Sequence, residues 1–167
     1  MNKKHQRLLE SYLRVPDQLE AALAGLSEED LDLSKGEGWS IRQVVHHIVS
    51  GQMMFSISVK AILGFGDVEL PFDWYMDLSQ DKWADIWAFD RRPLAPALSG
   101  LRGSILDLAD LMEHLPDKAW ARSGHITFRG QDQPKTIPIE WLIEMIPTHA
   151  SAHIKDDILA IRKLHGK

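Results

Sequence analysis

Apolar residues recur every three or four positions through four long stretches of this chain, and that spacing limits its fold more than any other feature. Residues 3–26 carry Leu8, Leu9, Tyr12, Leu19, Leu23 and Leu26. Residues 41–63 carry Ile41, Val44, Val45, Ile48, Gln52, Phe55, Val59 and Ile62 in one row. A third stretch follows Arg92 and runs through Leu98, Leu101, Ile105, Leu108 and Leu111 to Leu115. A fourth covers 138–164, with Ile143, Ala150, Ile154, Ile158 and Ile161 in its stripe. Residues three and four apart share one face of a helix, so each stretch predicts an amphipathic helix. Four such helices with connections of medium length bury their stripes against one another as a four-helix bundle. The length, 167 residues, suits a single all-α domain over 1–167.

Local signals set the expected boundaries. Pro16 breaks or bends the first helix, because a proline inside a helix removes a hydrogen bond. Ser40 is a candidate N-cap for the second. Pro93 is tolerable in the first turn of the third, and Pro116 ends it. Residues 27–39 read as a loop, and 64–80, with Gly64, Gly66 and Pro71, as irregular. Ser79 caps a short helix before the third stretch. Residues 121–136 alternate through His125, Ile126, Thr127 and Phe128 and hold a turn-like Gly130-Gln131-Asp132, which predicts a small hairpin or an extended loop.

Composition excludes several chemistries. The chain has no cysteine, so disulfides, thiolate ligands, iron–sulfur clusters and a cysteine nucleophile are all ruled out. The net charge is −5 and the basic residues are scattered, which argues against a nucleic-acid partner. The start, MNKKHQRLLESYLRV, lacks the apolar core of a signal peptide, and no apolar run approaches membrane-spanning length. The expectation is a soluble cytoplasmic protein without a membrane partner.

The candidate chemistry lies in three histidines. His149 and His153 are four residues apart, so both imidazoles stack on one helix face. His47 lies far upstream, roughly 105° from the centre of its helix's apolar stripe, while its neighbour His46 lies roughly 155° away, towards the opposite side. Gly51, one turn beyond His47, leaves space beside the His47 ring; Ser40, Met54 and Ser58 share the His47 row. Three imidazoles from two helices suit an open metal site, whereas a structural zinc is normally closed by four protein ligands. Spacing alone leaves the alternative of ordinary hydrogen-bonded histidines open, since the HxxxH pair lacks the glutamate of HExxH. Pro147 either is a tolerated helix defect or bends the helix to aim His149. Asp157, four residues after His153, holds the far nitrogen of that ring, is solvated, or pairs with a basic residue.

The tract Gly38-Trp39-Ser40-Ile41-Arg42-Gln43-Val44-Val45-His46-His47-Ile48 resembles the W-[ST]…H pattern of the DinB/YfiT-like superfamily, and Thr148-His149-Ala150-Ser151-Ala152-His153-Ile154 resembles its C-terminal HxxxH. The resemblance covers nearly the whole chain. It implies an up-down-down-up four-helix bundle, often a homodimer. It implies His47, His149 and His153 as ligands of a divalent ion, commonly nickel or zinc. Some members are thiol S-transferases that use a low-molecular-weight thiol such as bacillithiol or mycothiol, and others are thiol-dependent isomerases. The fold by itself does not dictate catalysis.

The leading expectation is therefore a metal-dependent S-transferase that joins a small thiol to an electrophilic substrate. A bound ion would lower the thiol's pKa and supply the sulfur nucleophile that the chain lacks. The alternatives are a metal-dependent hydrolase and a non-catalytic dimeric bundle. No carboxylate stands out as a general base, and no catalytic residue is assigned. His46, His125, Arg42 and Arg129 are read as surface or loop groups with pocket roles as the alternative, and Trp74 and Trp83 as residues that could line a site mouth.

Overall fold

The computed structural model describes residues 1–70, 75, 78–127 and 133–167. Pro71, Trp74, Phe128, Arg129 and the Gly130-Gln131-Asp132 turn lie outside the described residues.

The chain forms the four-helix bundle that its periodicity predicts. The first bundle helix is split into α1 (Lys3–Leu13) and α2 (Val15–Leu23). The break falls at Arg14, just before Pro16, because the second position of a new helix tolerates a missing N–H. The second is α3 (Ile41–Phe65), closed at its start by a capping box. Ser40 Oγ accepts the Gln43 N–H at 3.3 Å, and Gln43 Oε1 accepts the Ser40 N–H at 2.9 Å. The short α4 (Gln80–Ile86) is capped by Ser79, as expected. The third bundle helix is α5 (Leu94–Glu113), followed after Pro116 by one turn, α6 (Asp117–Trp120).

Strands β1 (Ser123–Ile126) and β2 (Lys135–Pro138) then pair antiparallel, with Ser123 opposite Pro138 and Ile126 opposite Lys135. The fourth bundle helix is α7 (Ile139–His153). It passes into one π-helical turn, Ile154–Ile158, and ends as α8 (Leu159–Leu164). Periodicity predicts one uninterrupted helix here and gives no hint of the wider turn. Pro147 sits buried inside α7 without ending it.

Helix α3 is the organising element. It packs on both α5 and α7, and α1 packs on α7 and α5. Ile41, Val44, Val45, Ile48, Val59 and Ile62 of α3 are buried against Leu101, Ile105 and Leu108 of α5 and Leu142, Ile143 and Ala150 of α7. By length and composition α3 is apolar enough to cross a membrane, which corrects the expectation that no run approaches that length. Its buried face belongs to the bundle core, and the helix also carries Gln52, bonded to Tyr12.

Two expectations for exposed groups are overturned. His46 is 2% exposed and Arg42 is 6% exposed. The face of α3 opposite the bundle stripe is covered by the segment that follows α4. His46 stacks on Phe89 at 5.4 Å, and its Nε2 lies 3.1 Å from the Arg92 carbonyl. Arg42 donates to Asp32 at 2.8 Å and to Glu28 at 3.1 Å, and so ties α3 to the 27–39 connection.

Candidate metal centre

Helices α3 and α7 cross so that His47 meets the His149/His153 pair. His47 Nε2 is 3.0 Å from His149 Nε2, and His153 Nε2 is 3.2 Å from the same atom. One nitrogen from each ring falls within a cluster no wider than 4.8 Å. The ring centroids are separated by 4.6–4.9 Å and meet edge-on rather than stacked. Imidazole nitrogens bind zinc at about 2.0–2.1 Å, so ligands on one tetrahedral or octahedral ion stand roughly 2.9–3.4 Å apart. The two close contacts fall in that range.

Hydrogen bonding alone does not satisfy the cluster. His153 Nδ1 lies 2.8 Å from Asp157 Oδ2, and a carboxylate only accepts, so the ring carries its proton there and Nε2 presents a lone pair. His149 Nε2 then has two close nitrogen neighbours, and a single hydrogen can bridge only one of them. In every neutral arrangement one short contact has no hydrogen along it. A cation at the centre accepts all three lone pairs, so the donor set fits a divalent ion.

The electrostatics agree. Burial, reinforced by the neighbouring His149 and His153, pushes the His47 imidazole down to about 3. Burial, with His153 beside it, pushes His149 down to about 4. Both rings are therefore neutral near pH 7, the form that binds metals. Burial raises the Asp157 carboxyl, but the hydrogen bonds from His153 and Lys35 outweigh it and hold the group below its ordinary value. Lys35 Nζ is 3.0 Å from Asp157 Oδ1 and also bonds the Asp156 carbonyl, inside the π turn. Such a wider turn is common beside functional residues. On the other side, a Gln80 hydrogen bond favours the protonated His47 ring and Trp39 meets that ring edge-on at 4.9 Å.

The cluster opens into a cavity of about 420 Å³. His47, His149 and Gly51 form one end, and a methyl group placed on Gly51 would sit 3.6 Å from His149 Cε1. The space left by Gly51 thus lies beside His149 and not beside His47. Met54, Phe55, Trp141 and Met145 supply the helical walls, and Ile126 and Ile137 of the hairpin close another side. Tyr75 donates to Gln80 Oε1 at 2.9 Å, and both residues also line the space.

Of the other residues singled out by sequence, His125 sits on β1 and bonds Asp67, and it does not line this cavity. Trp83 stacks on Tyr75 at 5.7 Å. Arg129 and Trp74 lie outside the described residues. Sequence reasoning missed Gln80, Lys135, Ile137 and Trp141. Met54 and Gly51 were within reach because they share the His47 row. Gln80, Lys135 and Ile137 reach the site from α4 and β2, which no spacing rule connects to the histidines, and Trp141 lies two turns before His149 on α7.

Two curated relatives match over 154 residues, which is 91% of this chain and 80% of each relative. One, from Geobacillus thermodenitrificans, is 29% identical and carries the name "Putative metal-dependent hydrolase". The other, from Geobacillus kaustophilus, is 26% identical and similarly named. Among solved structures, YfiT from Bacillus subtilis superposes with a TM-score of 0.83 at 21% identity, covering 99% of this chain and 90% of its own. Its description is a probable metal-dependent hydrolase with an unusual four-helix bundle topology. A sequence profile of the DinB superfamily matches residues 11–156, and this chain belongs to that superfamily.

Proposed function

We propose that this chain is a metal-dependent enzyme whose ion, held by His47, His149 and His153, activates a small nucleophile against an electrophilic substrate in the adjoining cavity. The observation that carries this reading is the convergence of three imidazole nitrogens at the end of a cavity with apolar walls. A divalent ion bound there supplies Lewis acidity, which lowers the pKa of a coordinated water or thiol. Nickel and zinc both suit neutral imidazole. Asp157 holds the His153 tautomer, Trp39 packs edge-on against the His47 ring, and apolar side chains line most of the cavity beside them.

Two nucleophiles fit. The names of the Geobacillus relatives favour water, and hence a hydrolase. The cavity favours a low-molecular-weight thiol, and hence an S-transferase. Among the described residues no carboxylate lines it to take a proton from water. A cytoplasmic location and a homodimer belong to the same proposal. Met53, Ile57 and Leu106 are exposed apolar side chains of α3 and α5 that support self-association, which light scattering measures.

Protein purified without an affinity tag tests the core of the proposal. Elemental analysis should find about one divalent ion per chain. Wild type should conjugate a small thiol to a generic electrophile, or hydrolyse activated esters and amides, far faster than His149→Ala. Substoichiometric metal under every growth metal, or equal rates for the two proteins in both assays, overturns it.

A further inference from the structure

The chemistry of the cavity is uneven along its length. At one end stand His47 and His149. Met54, Phe55, Ile137 and Trp141 also line the cavity, Trp141 about 12 Å along α7 from His149, and nearly all of the wall is apolar carbon. At the rim stands Lys135, the only lysine, arginine, aspartate or glutamate among the described lining residues. Its ammonium lies 6.0 Å from the centroid of the Trp141 ring. The volume, about 420 Å³, lies toward the lower end of the range for small-molecule sites, roughly 300–1,000 Å³.

We infer that the substrate of this cavity has an apolar, aromatic or alkyl body and one anionic group, seated with its reacting end at the histidines and its anion at Lys135. This rests on the reading of the histidines as the reactive end. The apolar walls reward a hydrophobic body, because desolvating a polar one there leaves its groups unpaired. A cationic ligand meets Lys135 with like charge and finds no carboxylate among the described lining residues in compensation. A neutral ligand gains nothing at the rim. An anion gains a charge-assisted partner whose ammonium lies over the Trp141 ring. The chain as a whole carries −5, so its overall field repels anions and the preference has to arise locally at Lys135.

Three matched probes test this: 4-phenylbutane-1-sulfonate, 4-phenylbutan-1-ol and 4-phenylbutan-1-amine, titrated calorimetrically into the metal-loaded protein. The sulfonate should bind about three- to tenfold tighter than the alcohol at low salt, with the amine weakest. Lys135→Gln should erase the difference between sulfonate and alcohol, and Lys135→Arg should keep it. Met54→Trp, which fills the cavity, should weaken all three probes. Lys135 is exposed, so thermal melts of its variants should match wild type.

A sulfonate preference that survives in Lys135→Gln overturns the orientation. Equal binding of all probes, binding unaffected by Met54→Trp, or no binding at all overturns the substrate class. Metal content measured on the same samples separates the two readings. One ion per chain without probe binding leaves the metal reading intact and removes this inference. Lys135-dependent binding in protein that holds no metal does the reverse.

Discussion

His153 presents its Nδ1 to Asp157 Oδ2 at 2.8 Å, and this single contact decides which nitrogen of the ring faces His47 and His149. A carboxylate holding the far side of an imidazole fixes its tautomer and makes the other nitrogen a better donor to metal. Asp157→Asn is expected to weaken metal affinity about 10- to 100-fold with little change in fold. Lys35→Met, which leaves the carboxylate in place but frees it, should weaken affinity less. Competition against a chromophoric chelator measures both. Wild-type affinity in Asp157→Asn would show that the ring is oriented by packing alone.

His149→Ala should abolish metal retention while leaving the bundle folded, because its ring is only half-buried and the core beneath it is apolar. His46→Ala should behave in the opposite way. Its ring packs on Phe89 and bonds the Arg92 carbonyl, so the variant loses stability, about 1–3 kcal/mol, and keeps its metal. Elemental analysis and thermal melts on the two proteins distinguish two histidines with separate duties. A melt of His149→Ala that resembles an unfolded chain would make the ion structural.

The depressed imidazoles give the metal-free protein a definite pH dependence. The unfolded chain takes up protons at histidine near pH 6.5, whereas folded His149 resists until about 4 and folded His47 until about 3. Below pH 6.5 the unfolded state therefore binds more protons, and stability falls as pH falls. The loss should develop progressively between pH 6.5 and about 3. Bound metal competes with those protons, so the metal-loaded protein should hold its stability to lower pH and then release the ion. Denaturant melts across this range check the sign; equal stability at pH 7 and pH 4.5 in the metal-free protein would contradict it.

Two glycines should respond to alanine with opposite signs. A Cβ on Gly124 would stand 2.9 Å from the Val68 carbonyl oxygen and 2.9 Å from Ile62 Cγ1, because β1 presses directly on the end of α3. Gly124→Ala should destabilise the protein by about 1–3 kcal/mol and loosen the wall that carries Ile126. Gly103 lies within α5 with open space around it. Gly103→Ala should stabilise by about 0.5–1 kcal/mol through helix propensity. Chemical denaturation of both variants gives the comparison.

The helices and the pairing of His149 with His153 were legible for one physical reason, while the full triad was what the family resemblance implied. A helix maps a spacing of three or four onto a shared face, so Ile41 to Ile62 and Ile143 to Ile161 announce their stripes, and His149 and His153 announce a common direction. His47 could be placed at the edge of its own stripe by the same rule. His46 could not be read correctly. The helical angle turned it away from the bundle, but only tertiary folding brings Phe89 and Arg92 across that side. The π turn was hidden as well. Its residues, Ile154 to Ile158, keep an apolar pattern compatible with an ordinary helix, and the turn shows itself in backbone hydrogen bonding.

Local periodicity thus determined by itself the number of bundle helices, the stripes they turn toward the bundle and the common direction of His149 and His153, because these depend on angles within one helix. Only the tertiary structure decided that α3 and α7 bring those ligands within 4.8 Å of one another, and that a hairpin from elsewhere in the chain walls the cavity beside them. Distances between elements depend on how side chains interlock across interfaces, and spacing along a single segment carries no information about its partner.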